Sequence, residues 1–448
     1  MNHPKTRRDF FRHAACAAVG SLGMASAYRD LCLTAAAASP FNDYKALVCV
    51  FLYGGNDQGN MVIPRGSEYA TYAAGRTGLA IPEAQLLPLN VLNTPGRTFG
   101  VHPAMTGLQG LFNQGRAAII SNVGPLLAPT TRDDYRNRRV ALPPSLFSHD
   151  DQQVHWQTSI PDQPATTGWG GRVADLFAAL GENPQVSSLL NISDTNIFQR
   201  GQSVAQFRIG TGGVISLSNM NATTTATLNR ELALPYNNLF EDGYRYVVRK
   251  SLDNGALISS ALAQVTPFTT VFPNTGLGRQ MQMVARLIAS RSRLDMRRQI
   301  FFVSQGGYDT HGPQLTAHHN LLAELSNAMT ALYNATAEIG EQSNVTQFTA
   351  SDFGRTHIFN GEGSDHGWGA HHFVVGGAVR GASIYGRFPN LTVNGPDDTS
   401  QGRWIPTVSV DEYSATLARW FGVSPGRLTD IFPYLGRFAN PDLGFLVG

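Results

Sequence analysis

The sequence predicts an α/β protein with a central, mostly parallel sheet flanked by helices, and three observations carry that expectation. Short apolar runs end abruptly in Gly, Asn, Asp, Ser or His, as buried parallel strands do when they deliver loops to one edge of a sheet. Stretches with 3.6-residue apolar spacing lie between those runs, which gives the strand-helix alternation of α/β folds. With 448 residues, 42% hydrophobic and 15% charged, the chain can bury a large core.

The chain opens on Lys5-Thr6-Arg7-Arg8-Asp9-Phe10-Phe11-Arg12 and then a small, apolar stretch from His13 to Ala27, the pattern of a bacterial twin-arginine export signal. Gly20, Ser21 and Gly23 interrupt that stretch, and it is shorter than the roughly 20 residues a bilayer crossing needs, so no stable membrane span is expected. Cleavage is expected after Ala27 or within Ala35 to Ser39. Residues 1–38 are therefore read as signal and 39–448 as the folded domain. Cargo of the Tat translocase crosses already folded, which allows a metal to be loaded beforehand and places the mature protein in the periplasm or outside the cell.

The first strand, Lys45 to Tyr53, runs into Gly54-Gly55-Asn56-Asp57, a tight loop that can present Asp57 to a metal. It is not a phosphate-cradling P-loop, because the Gly-Lys-Ser/Thr element is absent. A second strand, Arg116 to Val123, leads into Gly124-Pro125. Ser148-His149-Asp150-Asp151 follows a proline-rich loop, with Ser148 placed to cap a helix. A helix is expected over Gly170 to Leu180. From about Pro184 to Pro273 the chain is rich in Ser, Thr, Asn and Gly and reads as an insertion or cap over the sheet edge. Beyond it come a helix over Gly278 to Arg291 and a strand, Gln299 to Val303, that ends in Gly306-Gly307-Tyr308-Asp309-Thr310-His311. The next helix, Leu315 to Ile339, carries His318 and His319 on what reads as its polar face. Gln347 to Ala350 delivers Ser351-Asp352-Phe353-Gly354-Arg355, and Phe373-Val374-Val375 continues as a strand. A loop over Pro389 to Arg403 precedes the last helix, Asp411 to Phe421.

A formal net charge of +2, with the only dense basic patch outside the signal (Arg132, Arg136, Arg138 and Arg139) diluted by Asp133 and Asp134, argues against a nucleic-acid footprint. Of the three cysteines, Cys16 leaves with the signal, as does Cys32 where cleavage falls within Ala35 to Ser39, while Cys49 lies inside a strand, so a disulfide framework is excluded.

Histidine placement is the best guide to chemistry. Of twelve, seven (His311, His318, His319, His357, His366, His371 and His372) fall in the last third. Imidazole with carboxylate suits zinc and its neighbours, whereas oxygen ligands alone would favour calcium or magnesium. Asp309-Thr310-His311 puts two ligand types two residues apart after a strand. In Asp365-His366-Gly367-Trp368-Gly369-Ala370-His371-His372 the glycines allow histidines from both ends to face one point. Asp352 and Arg355 supply a carboxylate and a guanidinium suited to a metal and an oxyanion. The hydroxyl of Ser148 is the candidate nucleophile. No Gly-x-Ser-x-Gly elbow occurs, which argues against an ordinary serine esterase.

Taken together, Arg7-Arg8, Phe51-Leu52-Tyr53-Gly54-Gly55-Asn56-Asp57, Ser148-His149, Gly307-Tyr308-Asp309-Thr310-His311, Ser351-Asp352-Phe353-Gly354-Arg355 and Asp365-His366-Gly367-Trp368 resemble, in order, the exported bacterial family known as domain of unknown function 1501. The resemblance covers nearly all of the mature chain. It implies an alkaline phosphatase-like sheet, and a superfamily of phosphatases, sulfatases and phosphomutases. It implies a metal-dependent hydrolase or transferase acting on small-molecule or polymer-linked phosphate or sulfate esters, the alternative being a non-catalytic exported binding or assembly protein. By the same resemblance Asp57, Asp309, His311, Asp352 and His366 or His371 are the metal ligands. Ser148 is the nucleophile, with His149 beside it, and Arg355 the group that steadies substrate oxygens. The implied cofactor is a divalent metal, zinc first, with calcium, magnesium or manganese as alternatives. The chain departs from the pattern in three ways. Phe353 stands where alkaline phosphatases have histidine, and Asp309 to His311 is a shorter step than theirs; the frame that sulfatases need for formylglycine is also missing.

Overall fold

The computed structural model describes residues 40–182 and 184–447; the expected export signal and both signal cysteines lie outside the described residues. Internal contacts divide the described chain into two units. One comprises residues 40–42 and 176–182, where Phe41 meets Phe177 edge-on at 4.7 Å. The other, residues 43–175 and 184–447, holds everything that follows.

Its strands, in chain order, are β1 (Lys45–Leu52), β2 (Val62–Arg65), β3 (Leu87–Leu89), β4 (Thr98–Val101), β5 (Ala117–Gly124), β6 (Leu189–Asn191) and β7 (Phe207–Gly210). They continue with β8 (Gly213–Val214), β9 (Arg298–Gln305), β10 (Val345–Ser351), β11 (Ala370–Gly376), β12 (Ile384–Tyr385) and β13 (Val408–Ser409). A ten-stranded sheet has the order β12-β5-β11-β10-β1-β9-β6-β7-β8, with β13 also on β5; β2, β4 and β3 form a separate small sheet. Within the large sheet β11 and β8 run against their neighbours, and the other pairings are parallel. The expected α/β class with a mostly parallel sheet is therefore what the chain forms.

The middle of that sheet follows from its sequence. β1 is a continuous apolar run, Ala46 to Leu52, with every residue buried, because helices cover both faces and alternation would strand polar groups in the core. The flanking helices include Gly276–Ala289, Gln314–Glu338 and Val410–Phe421, each close to its predicted span. The expected cap region behaves in two ways. Its first part supplies β6, β7 and β8 to the edge of the sheet, and the helices Ala222–Glu231 and Leu239–Ala263 follow.

One consequence of this topology governs the site. β1, β9 and β10 are adjacent and parallel, so the loops after Leu52, Gln305 and Ser351 leave the same edge. β11 runs in the opposite sense, and the segment before Ala370 arrives at that edge too. Four loops far apart in sequence are thereby brought together, at the carboxyl edge where open α/β sheets hold ligands.

Candidate metal centre

Gly54 locks two of these loops together. Its φ of +113° is open to glycine at little cost, and a Cβ there would sit 2.4 Å from the backbone nitrogen of Asp309. Its N–H donates to Asp352 Oδ2 at 3.1 Å and its carbonyl accepts from Arg355 Nη1 at 3.0 Å.

Around this junction His149, Asp309 and His366 bring ligand atoms within 4.8 Å of one another. His149 Nε2 lies 3.1 Å from His366 Nε2, and Asp309 Oδ1 lies 3.4 Å from the first and 3.3 Å from the second. His311 joins from the rim, its Nε2 2.8 Å from His366 Nε2 and 3.0 Å from Asp309 Oδ1. Opposite these atoms, every ring Nδ1 meets an oxygen: His149 that of Asp352 at 2.6 Å, His311 that of Asp365 at 3.1 Å, and His366 the Phe147 carbonyl at 2.8 Å. A carbonyl or carboxylate oxygen only accepts, so each Nδ1 carries a proton, and a ring in its neutral form turns an Nε2 lone pair inward. In that neutral form three lone pairs and a carboxylate oxygen face one another at hydrogen-bond distance. A cation removes that repulsion, and imidazoles oriented from behind by oxygen acceptors are the usual support of a metal.

The electrostatics agree. Hydrogen bonding to Asp352 raises the pKa of His149 against the effect of its burial, so in the ion-free state a proton is drawn to the centre. Burial lowers that of His366. Burial would raise the Asp309 carboxyl, yet the Arg355 hydrogen bond and charge, with His311 and His149, hold it below the usual range.

Several expected residues take other places. Asp57 is fully buried and caps the short helix Gln58–Met61, its carboxylate paired with Arg76 and accepting from Gln314 and the Gly59 N–H at 3.0 Å. Burial raises its pKa, but Arg76, His318 and Arg355 outweigh that and keep it ionised. Its charge is thus already neutralised by protein, and the structure does not bring it to the cluster. His371 does not reach the cluster either. It sits within β11, buried, its Nδ1 accepting from the Asn122 N–H at 3.0 Å and its ring stacked on Phe388. Asp352 stands behind His149 rather than among the converging atoms. Ser148 heads the His149–Thr158 helix, but its hydroxyl donates to Asp151 at 2.6 Å. Arg355 is buried with its guanidinium on Ser364, Gly54 and Asp309, so it braces the loops instead of facing a ligand. His318, read as surface, is buried with Nε2 3.0 Å from Asn56 Oδ1.

Phe353 shows what replaced the absent histidine. Its fully buried ring packs on His149 at 4.7 Å and on His366 at 4.8 Å, forming an apolar wall behind two candidate ligands. With Asp57 on Arg76 and Phe353 in this place, one group of candidate ligand atoms converges among the described residues. Sequence reasoning passed over Asp365 and Phe147 as supports; Asp365 was visible only as the neighbour of His366.

The fold and site define an α/β protein with a candidate metal centre at the carboxyl edge of its parallel strands. The chain belongs to the family described as "Protein of unknown function (DUF1501)", matching it over residues 44–437. No curated protein matches it. Among solved structures it is similar to Ps i-CgsB, with 10% identity, 89% of this chain and 78% of the other covered, and a TM-score of 0.37. It is also similar to a protein in the alkaline phosphatase superfamily from Vibrio parahaemolyticus (9%, 86% and 68%, 0.35). A third is the zinc complex of the C-terminal periplasmic domain of EcEptC from Escherichia coli (11%, 86% and 84%, 0.33). Scores of this size lend nothing to a functional assignment, which has to come from the site.

Proposed function

We propose that this protein is an exported, metal-dependent hydrolase or transferase acting on phosphate or sulfate esters, with one ion held by His149, Asp309 and His366 and joined by His311. The observation that supports it is the convergence of Nε2 lone pairs on Asp309 Oδ1, each ring fixed from behind by an oxygen. The nitrogen-rich donor set favours zinc over calcium or magnesium. A bound divalent ion there supplies Lewis-acid stabilisation of negative charge on non-bridging ester oxygens.

The remaining steps belong to side chains. Asp352 and Asp365 hold the His149 and His311 rings in the tautomer that ligation needs. Arg355 fixes Asp309, and Phe353 keeps water from the back of the imidazoles. Ser148, one residue before His149, is the proposed nucleophile: its hydroxyl, which here donates to Asp151, has to turn toward the ester, with Asp151 accepting the proton and the ester oxygen leaving as the alcohol. Export through the Tat translocase to the periplasm or medium belongs to the same proposal, resting on Arg7 and Arg8. No described helix is long and apolar enough to cross a membrane.

The test is metal analysis of protein purified after native export, joined to a panel of aryl phosphates, aryl sulfates and phosphodiesters. Stoichiometric metal with turnover that disappears in Asp309→Ala and His366→Ala is expected; metal-free protein, or unchanged turnover in both variants, would sink the reading. A second reading, a non-catalytic binding protein, is favoured by the pairing of Asp57 with Arg76 and by Phe353. It requires bound metal with no turnover on any of the esters.

A further inference from the structure

We propose that Arg403 is the anion-binding residue of the site and makes it selective for doubly charged ester groups; the inference rests on the metal reading above. Arg403 lies, half-buried, in the loop before the helix Val410–Phe421, and its Nε donates to the backbone carbonyl of His366 at 2.7 Å. Its guanidinium stacks over the ring of Phe147, 4.9 Å from the centroid. One residue thus grips the backbone of a candidate ligand and the side chain whose carbonyl orients that ligand's Nδ1. Phe147 itself has φ +72°, a left-handed conformation rare for a bulky residue, and such strain persists where the surroundings hold it for a purpose.

Two features separate Arg403 from the other arginines near the centre. Arg76 and Arg355 each pair with a carboxylate, whereas Arg403 forms no ion pair among the described residues, and its Nη2 has no hydrogen-bond partner among them. Its Nη1 has only a 3.5 Å contact with Ser400. A planar fork anchored through Nε and aromatic stacking, with Nη2 unpartnered among the described residues, is preorganised for the oxygens of a phosphate monoester, the doubly charged member of the proposed ester classes.

Charge balance points the same way. Arg76 offsets Asp57, Arg355 offsets Asp309, and a divalent ion offsets Asp352 and Asp365. Asp151 adds one more formal negative charge, and Arg403 offsets it next to His366. An ion and a guanidinium with an unpartnered N–H group then both meet an incoming anion, which favours a dianionic ligand over a monoanionic or neutral one.

Zinc-loaded wild type, R403Q and R403K would be titrated with inorganic phosphate by calorimetry at pH 8, where phosphate is doubly charged, and with sulfate and nitrate, and their zinc content measured. With zinc content equal in all three, R403Q should weaken phosphate binding at least about tenfold while affecting nitrate little, and R403K should lie between. Equal phosphate affinity in wild type and R403Q at equal zinc content would overturn the anion site and leave the metal centre standing. Wild-type protein that takes up no zinc would overturn both. Should R403Q fail to fold, R403K carries the test: phosphate affinity matching wild type overturns the proposal, and a several-fold loss supports it.

Discussion

Replacing Asp352 with asparagine isolates one charge without moving an atom of the supporting frame. Asp352 is fully buried, and its Oδ2 accepts from His149 Nδ1 at 2.6 Å, Gln153 Nε2 at 3.0 Å and the Gly54 N–H at 3.1 Å, while Oδ1 has no partner. Asparagine keeps all three acceptances if its carbonyl oxygen takes the Oδ2 position, with the amide nitrogen in the unpartnered place. What is lost is the charge that makes the His149 contact short and the imidazole basic toward an ion. Loss of such a support costs about 10- to 100-fold in metal affinity, or about 1.4–2.7 kcal/mol. Asp352→Ala should be far worse, since it also leaves three donors unpaired at about 1–3 kcal/mol each. The assay is zinc competition against a chromophoric chelator at pH 7.5, with the melting temperature of the metal-free proteins as control. A zinc affinity for Asp352→Asn within twofold of wild type would falsify the support role of Asp352, and with it the tautomer assignment of His149.

Other expectations follow from the buried groups. Burial pushes His102, His357, His371 and His372 down to about 3, and His155 and His318 to about 4. The unfolded chain therefore takes up protons first. Stability present above about pH 6.5 should fall as pH drops through 6 to 4, by up to about 1.4 kcal/mol per pH unit for each group. Urea melts showing no change between pH 6.5 and 5 would contradict this. Asp411 has the opposite sign: burial raises it to about 7, so it costs stability as pH rises from about 4 to 7. Asp411→Asn should then be more stable than wild type at pH 8, by roughly 3–4 kcal/mol at most, and equal or lower stability would refute it. Arg76→Met strands the buried Asp57 carboxylate and should cost about 3–5 kcal/mol, with much of it recovered in the Arg76→Met, Asp57→Asn double variant; additive losses would show that the two do not act as a pair. Gly54→Ala drives a Cβ into the Asp309 backbone, so metal uptake should fail even where the chain remains folded, as read by circular dichroism.

Local sequence marked β1, β5, β9, β10 and β11, because each is an apolar run suited to a buried strand, and it marked the helices over Trp169–Ala179, Gly276–Ala289, Gln314–Glu338 and Val410–Phe421 through their 3.6-residue spacing; the short strands β2–β4, β6–β8, β12 and β13 and the helix Leu239–Ala263 carried no comparable pattern. It also marked Asp309, His311, Asp352 and His366 as chemically interesting, since each lies in a glycine-bearing loop that follows or precedes a strand. It could not say which of them meet. Asp57 reads as a ligand until Arg76, nineteen residues away on another helix, is seen to hold its charge. His371 lies five residues from His366, yet the strand carries it into the core while the preceding turn leaves His366 at the edge. His149 was paired in sequence with Ser148, but the helix beginning there directs the imidazole to the centre and the hydroxyl to Asp151. Arg403 carried no local signal at all. Ligand sets, counter-ions and free guanidinium groups are properties of distances between remote loops, and in this chain those distances follow from strand order and strand direction in the assembled sheet.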